Sequence, residues 1–272
     1  MVRLGAVWSL LTLNLQAAGL VRAGRIVEWL DKRHDHVVVL TETSNGPGTT
    51  HLLDRYRSAG LVVEHRRPAD GDRGCALISR VRATARPDLT VGISLPGRVV
   101  AVTVDIQPAI TLLGIYVPSS DRAPSKVSKK KAFLTSTLEI IGRLTERERR
   151  QVVLTGDYNV IGRSHHPRYP AFQAFEYAFL DQLGEFGLTD IHEHLHPGVQ
   201  VHSWFGRGGN GYRFDYFHTG AAVTVAATSC THLDEPRTAG LSDHDAVSLT
   251  LATAPPQMLP VKRPKTRLEP LF

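Results

Sequence analysis

Short apolar, β-rich runs separated by turn residues recur along this chain and constrain its fold more than any other feature. Few helical segments lie between them, whereas a strictly alternating βα chain would place a helix after every strand. The pattern therefore predicts mixed β-sheets. The strand-like runs occupy residues 7–15, 37–43, 61–64, 75–79, 89–94, 99–104, 110–117, 152–154 and 246–251.

Two segments carry apolar stripes at helical spacing, in addition to a helix predicted over residues 20–33. The clearest is a helix over residues 126–150, with its stripe at Val127, Leu134, Leu138, Ile141 and Leu144. The three lysines at residues 129–131 on its other face indicate either a phosphate contact or, more simply, a solvated helix face. A second, mostly aromatic stripe comprises Phe172, Phe175, Phe179, Leu183 and Phe186. Such a stripe is typical of a buried core, because rings that stack on bases would have to be exposed.

The run at residues 152–154 leads directly into Gly156, Asp157 and Asn159. We expect the glycine at a place where a side chain would crowd a ligand. In an extended chain, the spacing of Asp157 and Asn159 puts both side chains on the same side. A carboxylate and an amide in one pocket can hold and activate a water molecule, although the same pattern also marks ordinary turns.

Polar residues follow several of the other apolar runs. Glu42 ends the second predicted strand, Asp215 lies in an alternating aromatic and polar segment, and Asp243 and His244 precede the last strand. Asn14 lies at the end of the first predicted strand. The candidate set is Asn14, Glu42, Asp157, Asn159, Asp215, Asp243 and His244.

In this order the motifs resemble those of the endonuclease/exonuclease/phosphatase superfamily, and within it the exonuclease III-type abasic-site endonucleases. The resemblance spans roughly residues 7–252. It depends on six separated motifs in the family order, namely the first asparagine, LTET, YVP, GDYN, the SWF and RFD pair, and SDH. It implies an α/β fold, a four-layer α/β sandwich of two packed mixed β-sheets flanked by helices, as one catalytic domain over residues 1–254.

The resemblance also implies roles for these residues. Asp157 would orient and deprotonate the attacking water, and Asn159 would steady that water or the phosphate. Tyr116, in the YVP motif, would reach the scissile phosphate. His244 would donate to a phosphoryl oxygen and would be held by Asp215.

A site of hard oxygen ligands without cysteines favours Mg²⁺, or Mn²⁺, over Zn²⁺. Mg²⁺ takes one or two carboxylates and keeps several waters, so Glu42 with help from Asn14 is sufficient. Asp243 is expected beside the metal, as a second ligand or an acid–base accessory. The histidine-rich stretch at residues 190–197 looks like a zinc site, but it resembles a D-x-x-x-H-x-x-P segment that is not the metal site of the family.

An abasic-nucleotide pocket is implied at Trp204, Tyr212 and Phe214, each of which could instead be a hairpin core residue. A small apolar pocket accepts a flipped-out sugar without a base and excludes a normal nucleotide by size. Arg122 is a candidate DNA contact, in a segment that departs from the usual family form. Gln16 lies two residues after the first asparagine, in a segment that departs from the usual family form. This departure weakens the metal or DNA-strand contact expected there.

Charge and composition set the remaining expectations. The net charge of +6 favours a polyanionic partner. The last residues alternate prolines with basic side chains, so we predict a basic, proline-rich, disordered tail over residues 255–272. Cys75 and Cys230 are far apart and are expected to be reduced thiols of a cytoplasmic monomer. We expect neither a signal peptide in residues 1–18 nor a membrane span.

The predicted function is a Mg²⁺-dependent DNA-repair phosphodiesterase: an abasic-site endonuclease with 3′–5′ exonuclease or 3′-phosphodiesterase activity on damaged duplex DNA. One alternative is a phosphoesterase of the same superfamily that acts on a lipid headgroup, a nucleotide or a sugar phosphate. Another is a nucleic-acid-binding module without chemistry. The SWF and YRFD segments favour the DNA-repair branch, and the set of acids argues against a binding module, since binding would not need them.

Overall fold

A computed structural model of the protein describes residues 7–120, 123–253 and 256–261. Within these ranges, two six-stranded sheets pack face to face, and two further strands form a hairpin that is bridged to His244. The strands are β1 (Val7–Asn14), β2 (Val37–Thr43), β3 (Val62–His65), β4 (Gly74–Ser79), β5 (Ala83–Ala85), β6 (Val99–Val104), β7 (Ile110–Tyr116), β8 (Val152–Asp157), β9 (Leu188–Asp190), β10 (Trp204–Phe205), β11 (Gly211–Tyr212), β12 (Asp215–Gly220), β13 (Ala227–Leu233) and β14 (Ala246–Ala252).

The strand order is β13-β14-β1-β2-β4-β3 in the first sheet and β5-β6-β7-β8-β12-β9 in the second, with β10 and β11 forming the hairpin. In the first sheet β1 runs parallel to β2 and antiparallel to β14. In the second, β8 runs parallel to β7 and antiparallel to β12. The prediction of mixed sheets is confirmed.

Helices cover the outer face of each sheet. The apolar faces of α1 and α2 pack on the first sheet, and those of α3 and α5 pack on the second. The helices are α1 (Leu20–Arg33), α2 (Pro47–Ser58), α3 (Pro124–Arg143), α4 (Glu146–Arg150), α5 (Ala174–Glu185), α6 (Ile191–Leu195), α7 (Ala221–Ala226) and α8 (Glu235–Thr238). The layers are helix, sheet, sheet, helix, so the predicted four-layer sandwich is confirmed.

The central strands are apolar on both faces because both faces are covered. In β1, Trp8 and Leu10 point into the core between the sheets, while Leu11 and Leu13 pack under α1 and α2. Successive side chains of a strand alternate between faces. A near-continuous apolar run is therefore what a sandwich covered by helices on both sides requires.

Three predicted elements were wrong. Residues 44–50 are polar and rich in Gly and Pro, a composition that predicts a loop, but the helix α2 begins within them at Pro47. Proline suits the first helical position, where no amide hydrogen bond is lost. The predicted strand over residues 89–94 does not form. A short 3₁₀ helix, Pro87–Thr90, is followed there by turns. The helix predicted over residues 126–150 is two helices, since a capping box between Thr145 and Glu148 starts α4.

The predicted tail, residues 255–272, is described from residue 256 to residue 261. Met258 forms a β-bridge with Val81, and the Leu259 amide donates to the Arg80 carbonyl over 2.7 Å. Met258 and Leu259 therefore contact the segment that joins β4 to β5. The prediction of a disordered tail stays a prediction for residues 262–272, which lie outside the described residues. Among the described helices, none has the length and apolar character needed to cross a membrane.

Two buried histidines predict a loss of stability in mild acid. Burial lowers the pKa of His218 to about 4 and that of His232 to about 3. An unfolded histidine binds its proton near pH 6.5, so below that pH the unfolded state gains protons that the folded state does not bind. The contribution of each ring to the free energy of unfolding should therefore fall by about 2 kcal/mol between pH 6.5 and pH 5.0.

Urea unfolding at pH 6.5 and at pH 5.0 measures this change. His232→Leu should reduce the difference between the two pH values by about 2 kcal/mol. The same substitution at the exposed His51 serves as the control and should leave the difference unchanged. An equal pH dependence in wild type and His232→Leu would contradict the prediction.

Candidate active site

Three predicted residues lie side by side at one end of the second sheet. Tyr116 pairs in register with Asp157 across β7 and β8, and Asp157 pairs with Asp215 across β8 and β12. These pairings place two carboxyl groups and a phenol on neighbouring strands at the same edge. The polar residues that follow the apolar runs therefore do meet in space.

The first sheet brings its own strand ends to the same place. The side-chain amide of Asn14, the last residue of β1, donates to Asp157 Oδ2 over 2.9 Å and lies 3.5 Å from His244 Nε2. Ser242 Oγ donates to the Asn14 carbonyl over 2.6 Å and accepts from the His244 amide. The site is therefore built where the carboxyl ends of β1 and β8 face each other across the sandwich.

Gly156 is required by the neighbouring strand, and the expectation that it leaves room for a ligand was wrong. Its φ is +132°, and a Cβ there would lie 2.0 Å from the Ile115 carbonyl oxygen. The close approach lets β8 stay paired with β7 up to Asp157.

Asp157 and Asn159 contact each other, though not through extended backbone. Asn159 has a φ of +49°, a left-handed conformation that asparagine tolerates better than most residues. Its amide donates to Asp157 Oδ1 over 2.9 Å, and its side-chain nitrogen lies 3.3 Å from Asp157 Oδ2. The turn, rather than strand alternation, brings the two side chains together.

The buried Asp157 carboxyl is suited to exchange a proton near neutral pH. It is almost completely buried. Burial, followed by the nearby Asp215 carboxylate, raises the pKa of Asp157 to about 8. A general base is most effective when its pKa lies near the working pH.

His244 is held by Asp215. Its Nδ1 lies 2.7 Å from Asp215 Oδ2, which leaves Nε2 on the side of Asn14. Burial alone would lower the pKa of His244, but the contact with the Asp215 carboxylate outweighs it and raises the pKa to about 10. At neutral pH the ring is therefore a cation that can donate from Nε2.

Tyr116 donates its hydroxyl to Glu42 Oε1 over 2.9 Å. Burial, followed by the charge of Glu42, raises the pKa of Tyr116 well above its usual value, so the phenol keeps its proton. The Arg98 guanidinium stacks over the ring at 4.4 Å. Tyr116 thus orients Glu42, while its predicted contact with the phosphate stays a prediction.

The carboxylates of Glu42 and Asp243 fit a hard cation. Both line one cavity of about 320 Å³. Asp243 Oδ2 accepts from Trp204 Nε1 over 3.0 Å, whereas the buried Oδ1 has no protein partner among the described residues. Such an orphaned carboxylate oxygen is costly, and a cation would satisfy it. No cluster of three His, Cys, Asp or Glu residues suited to a metal occurs in the described ranges, and Mg²⁺ needs only one or two carboxylates.

Asn14 contributes to the site in a different way from the metal role predicted for it. Its side-chain oxygen accepts from the Gln16 amide over 2.7 Å, and its nitrogen donates to Asp157. In this arrangement Asn14 orients the Asp157 carboxyl. Its direct contact with a metal stays a prediction.

Aromatic rings form one wall of the same cavity. Trp204 and Phe214 line it with their centroids 5.8 Å apart, and Phe172 joins them 6.2 Å from Phe214. Tyr212 stands behind Phe214, stacked at 5.2 Å, and does not line the cavity. The predicted core role of Phe172 was wrong, because α5 begins only at Ala174 and Phe172 precedes its apolar stripe.

Sequence reasoning missed Lys130 and Glu176. Lys130 is only 1% exposed, so neither a phosphate contact nor a solvated face describes it. Its position carried a signal, since it falls three residues after Val127 and four before Leu134, within the apolar stripe of α3. Glu176 lies in the first turn of α5 and forms an ion pair with Lys130.

Some predicted residues lie away from this cavity or outside the described ranges. Arg122 is outside the described residues, so its DNA contact stays a prediction. Asp190 accepts from the amides of His192 and Glu193 at the start of α6 and pairs with Arg213. A larger cavity of about 500 Å³ is lined by Arg213, and contains none of the predicted catalytic residues.

The sequence profile described as the Endonuclease/Exonuclease/phosphatase family matches residues 11–244. The match covers most of the chain, including the strand ends that form the site. The protein belongs to the endonuclease/exonuclease/phosphatase family. A sequence comparison with curated proteins gives no match.

Solved structures share this fold at low sequence identity. A 3′ phosphatase, NExo, from Neisseria, bound to a product DNA hairpin, is 20% identical with a TM-score of 0.71, over 89% of this chain and 98% of the other. An AP endonuclease from Archaeoglobus fulgidus is 17% identical with a TM-score of 0.72, over 90% and 99%. The AP endonuclease LMAP from Leishmania major is 20% identical with a TM-score of 0.70, over 91% and 88%.

Proposed function

We propose that this protein is a Mg²⁺-dependent DNA-repair phosphodiesterase that cuts duplex DNA at abasic sites. One observation carries the proposal: Glu42, Asp243 and His244 line the same small cavity as Trp204 and Phe214. Acids and a cationic histidine suit a phosphodiester, and the aromatic wall suits the apolar face of a sugar that lacks a base. The described activities of the Neisseria 3′ phosphatase and the AP endonucleases agree with this substrate class.

In the proposed reaction the protein supplies a base, a hydrogen-bond donor and an oriented carboxylate. Asp157, positioned by Asn14 and Asn159, takes the proton of the attacking water. His244, fixed by Asp215, donates from Nε2 to a phosphoryl oxygen and stabilises the charge that develops there.

Glu42 and Asp243 would hold the metal, and Mg²⁺, when bound, supplies Lewis-acid polarisation of the phosphate. The hydrogen bond from Tyr116 fixes one oxygen of Glu42. We further propose a cytoplasmic monomer, which agrees with free, buried thiols at Cys75 and Cys230. The net charge of +6 favours association with the DNA backbone.

A substrate panel tests the proposed class. Purified protein with Mg²⁺ is incubated with a duplex containing one abasic site, the same duplex undamaged, a duplex with a 3′-phosphate, an inositol phosphate and a free nucleotide. We expect cleavage of the abasic duplex at a rate at least about tenfold above that of the undamaged duplex. Faster hydrolysis of the inositol phosphate or the nucleotide would favour the non-DNA phosphoesterase instead.

A further inference from the structure

A buried lysine lies directly behind the catalytic turn. Lys130 Nζ donates to the Asn159 carbonyl over 2.6 Å and pairs with the Glu176 carboxylate. Both charged side chains are almost fully buried. A buried ion pair costs desolvation free energy that a pair of apolar residues would avoid, so a role in stability alone explains it poorly.

Glu176 is itself fixed in place. Its second carboxylate oxygen accepts from the Gln173 amide over 2.7 Å, within the capping box that starts α5. Lys130 belongs to α3. The pair therefore joins α3 and the start of α5 to the backbone of the loop that follows β8.

That loop holds its conformation at a cost. Asn159 has a φ of +49°, and a left-handed residue other than glycine is disfavoured by about 1 kcal/mol or more. The side-chain nitrogen of Asn159 donates to the Val117 carbonyl over 3.0 Å, and its amide donates to Asp157. Lys130 holds the third polar group, the Asn159 carbonyl, and this completes the set of contacts that fix the peptide.

We propose that Lys130, paired with Glu176, is a positioning residue that keeps Asn159 in the conformation in which it orients Asp157. The catalytic part of this inference rests on the proposed function. Lys130 and Glu176 lie in the wall of the cavity, but Lys130 is only 1% exposed and its ammonium is held by Glu176 and the Asn159 carbonyl, so the proposal gives it a positioning role and no contact with the substrate. Loss of Lys130 should leave the Asp157 carboxyl in place, whereas Asn159, which contacts that carboxyl, should become less ordered.

The kinetic test compares Lys130→Met with Lys32→Met, the same change at an exposed lysine of α1. Lys130→Met should lower kcat on the abasic duplex about 10- to 100-fold, the usual effect of losing a group that orients a catalytic residue, with KM within about threefold of wild type. Lys32→Met should leave both constants unchanged. A rise in KM alone would mean that Lys130 contacts the substrate, and would overturn the proposal.

A double variant separates positioning from stability. Lys130→Met with Glu176→Gln removes both charges but keeps an acceptor for the Gln173 amide, so the melting temperature should return close to that of wild type. The positioning role predicts that kcat stays as low as in Lys130→Met, because the Asn159 carbonyl still lacks its donor. Recovery of wild-type kcat together with stability would show a structural role only.

Amide hydrogen exchange gives a readout that does not need activity. By residue-resolved NMR, the Asn159 amide should exchange at least about tenfold faster in Lys130→Met than in Lys32→Met, while the Thr155 amide in β8 should not change. If the wild type cuts no abasic duplex, the proposed function fails and this measurement still decides the positioning role. Unchanged exchange at Asn159 would overturn the proposal even in an active enzyme.

Discussion

Asp157→Asn should lower turnover on an abasic duplex by about 10²–10⁴-fold, the usual contribution of general-base catalysis. The amide keeps the shape of the carboxyl group, and its single oxygen can keep one of the two contacts, because Asn14 donates to Oδ2 and the Asn159 backbone donates to Oδ1. It cannot take a proton from water near neutral pH. The loss should therefore lie in kcat, with the affinity for DNA largely retained.

Single-turnover kinetics and equilibrium titration with labelled duplex measure the two quantities separately. The control is Asp88→Asn, the same change at a carboxylate that is 57% exposed, and it should leave both quantities unchanged. If Asp157→Asn instead weakened DNA binding while turnover at saturation stayed near wild type, Asp157 would have a structural role.

Glu42→Ala should reduce activity by at least about 100-fold at low Mg²⁺, since even outer-shell partners of a metal contribute 10- to 100-fold. Glu42 sits at an irregularity in β2, with a φ of +51°, and this directs its carboxylate into the cavity beside Asp243. Because its proposed role is to load the metal, a higher Mg²⁺ concentration should restore part of the activity.

The measurement is a Mg²⁺ titration of the cleavage rate for wild type and variant. The midpoint should move to higher Mg²⁺ in Glu42→Ala, and Glu64→Ala on β3 should show the wild-type midpoint. An unchanged midpoint with a uniformly reduced rate would mean that Glu42 does not load the metal.

The positions of the candidate site residues could be predicted because they lie at the ends of buried strands: Asn14 and Asp157 end β1 and β8, Asp215 begins β12, and His244 precedes β14. Apolar runs mark the strands, and in a packed sandwich the ends of neighbouring strands lie close together. Asn14, Asp157, Asp215 and His244 accordingly meet, although they are far apart in sequence. The apolar run of β1 could be interpreted in the same way, because one face of the strand packs on the second sheet and the other packs on α1 and α2.

Features that depend on contacts between distant segments could not be read from the sequence. Gly156 is needed because of the Ile115 carbonyl on another strand. Lys130 falls within the apolar stripe of α3, but its burial depends on Glu176 of a different helix, which neutralises it and which the local pattern does not show. Phe172 lines the cavity because α5 starts two residues later than its stripe indicated. In each case the local pattern agreed with two environments, and only tertiary packing selected one.

Incision of an end-labelled duplex with a single abasic site, in Mg²⁺ and in excess chelator, shows whether the protein cuts at abasic sites and needs a metal to do so. We expect one cut on the 5′ side of the abasic site in Mg²⁺, leaving a 3′-hydroxyl end. We expect no such product in chelator or with Asp157→Asn. Undiminished incision in chelator, or an intact abasic duplex after prolonged incubation with Mg²⁺, would contradict the assignment of this site as a metal-dependent abasic-site phosphodiesterase.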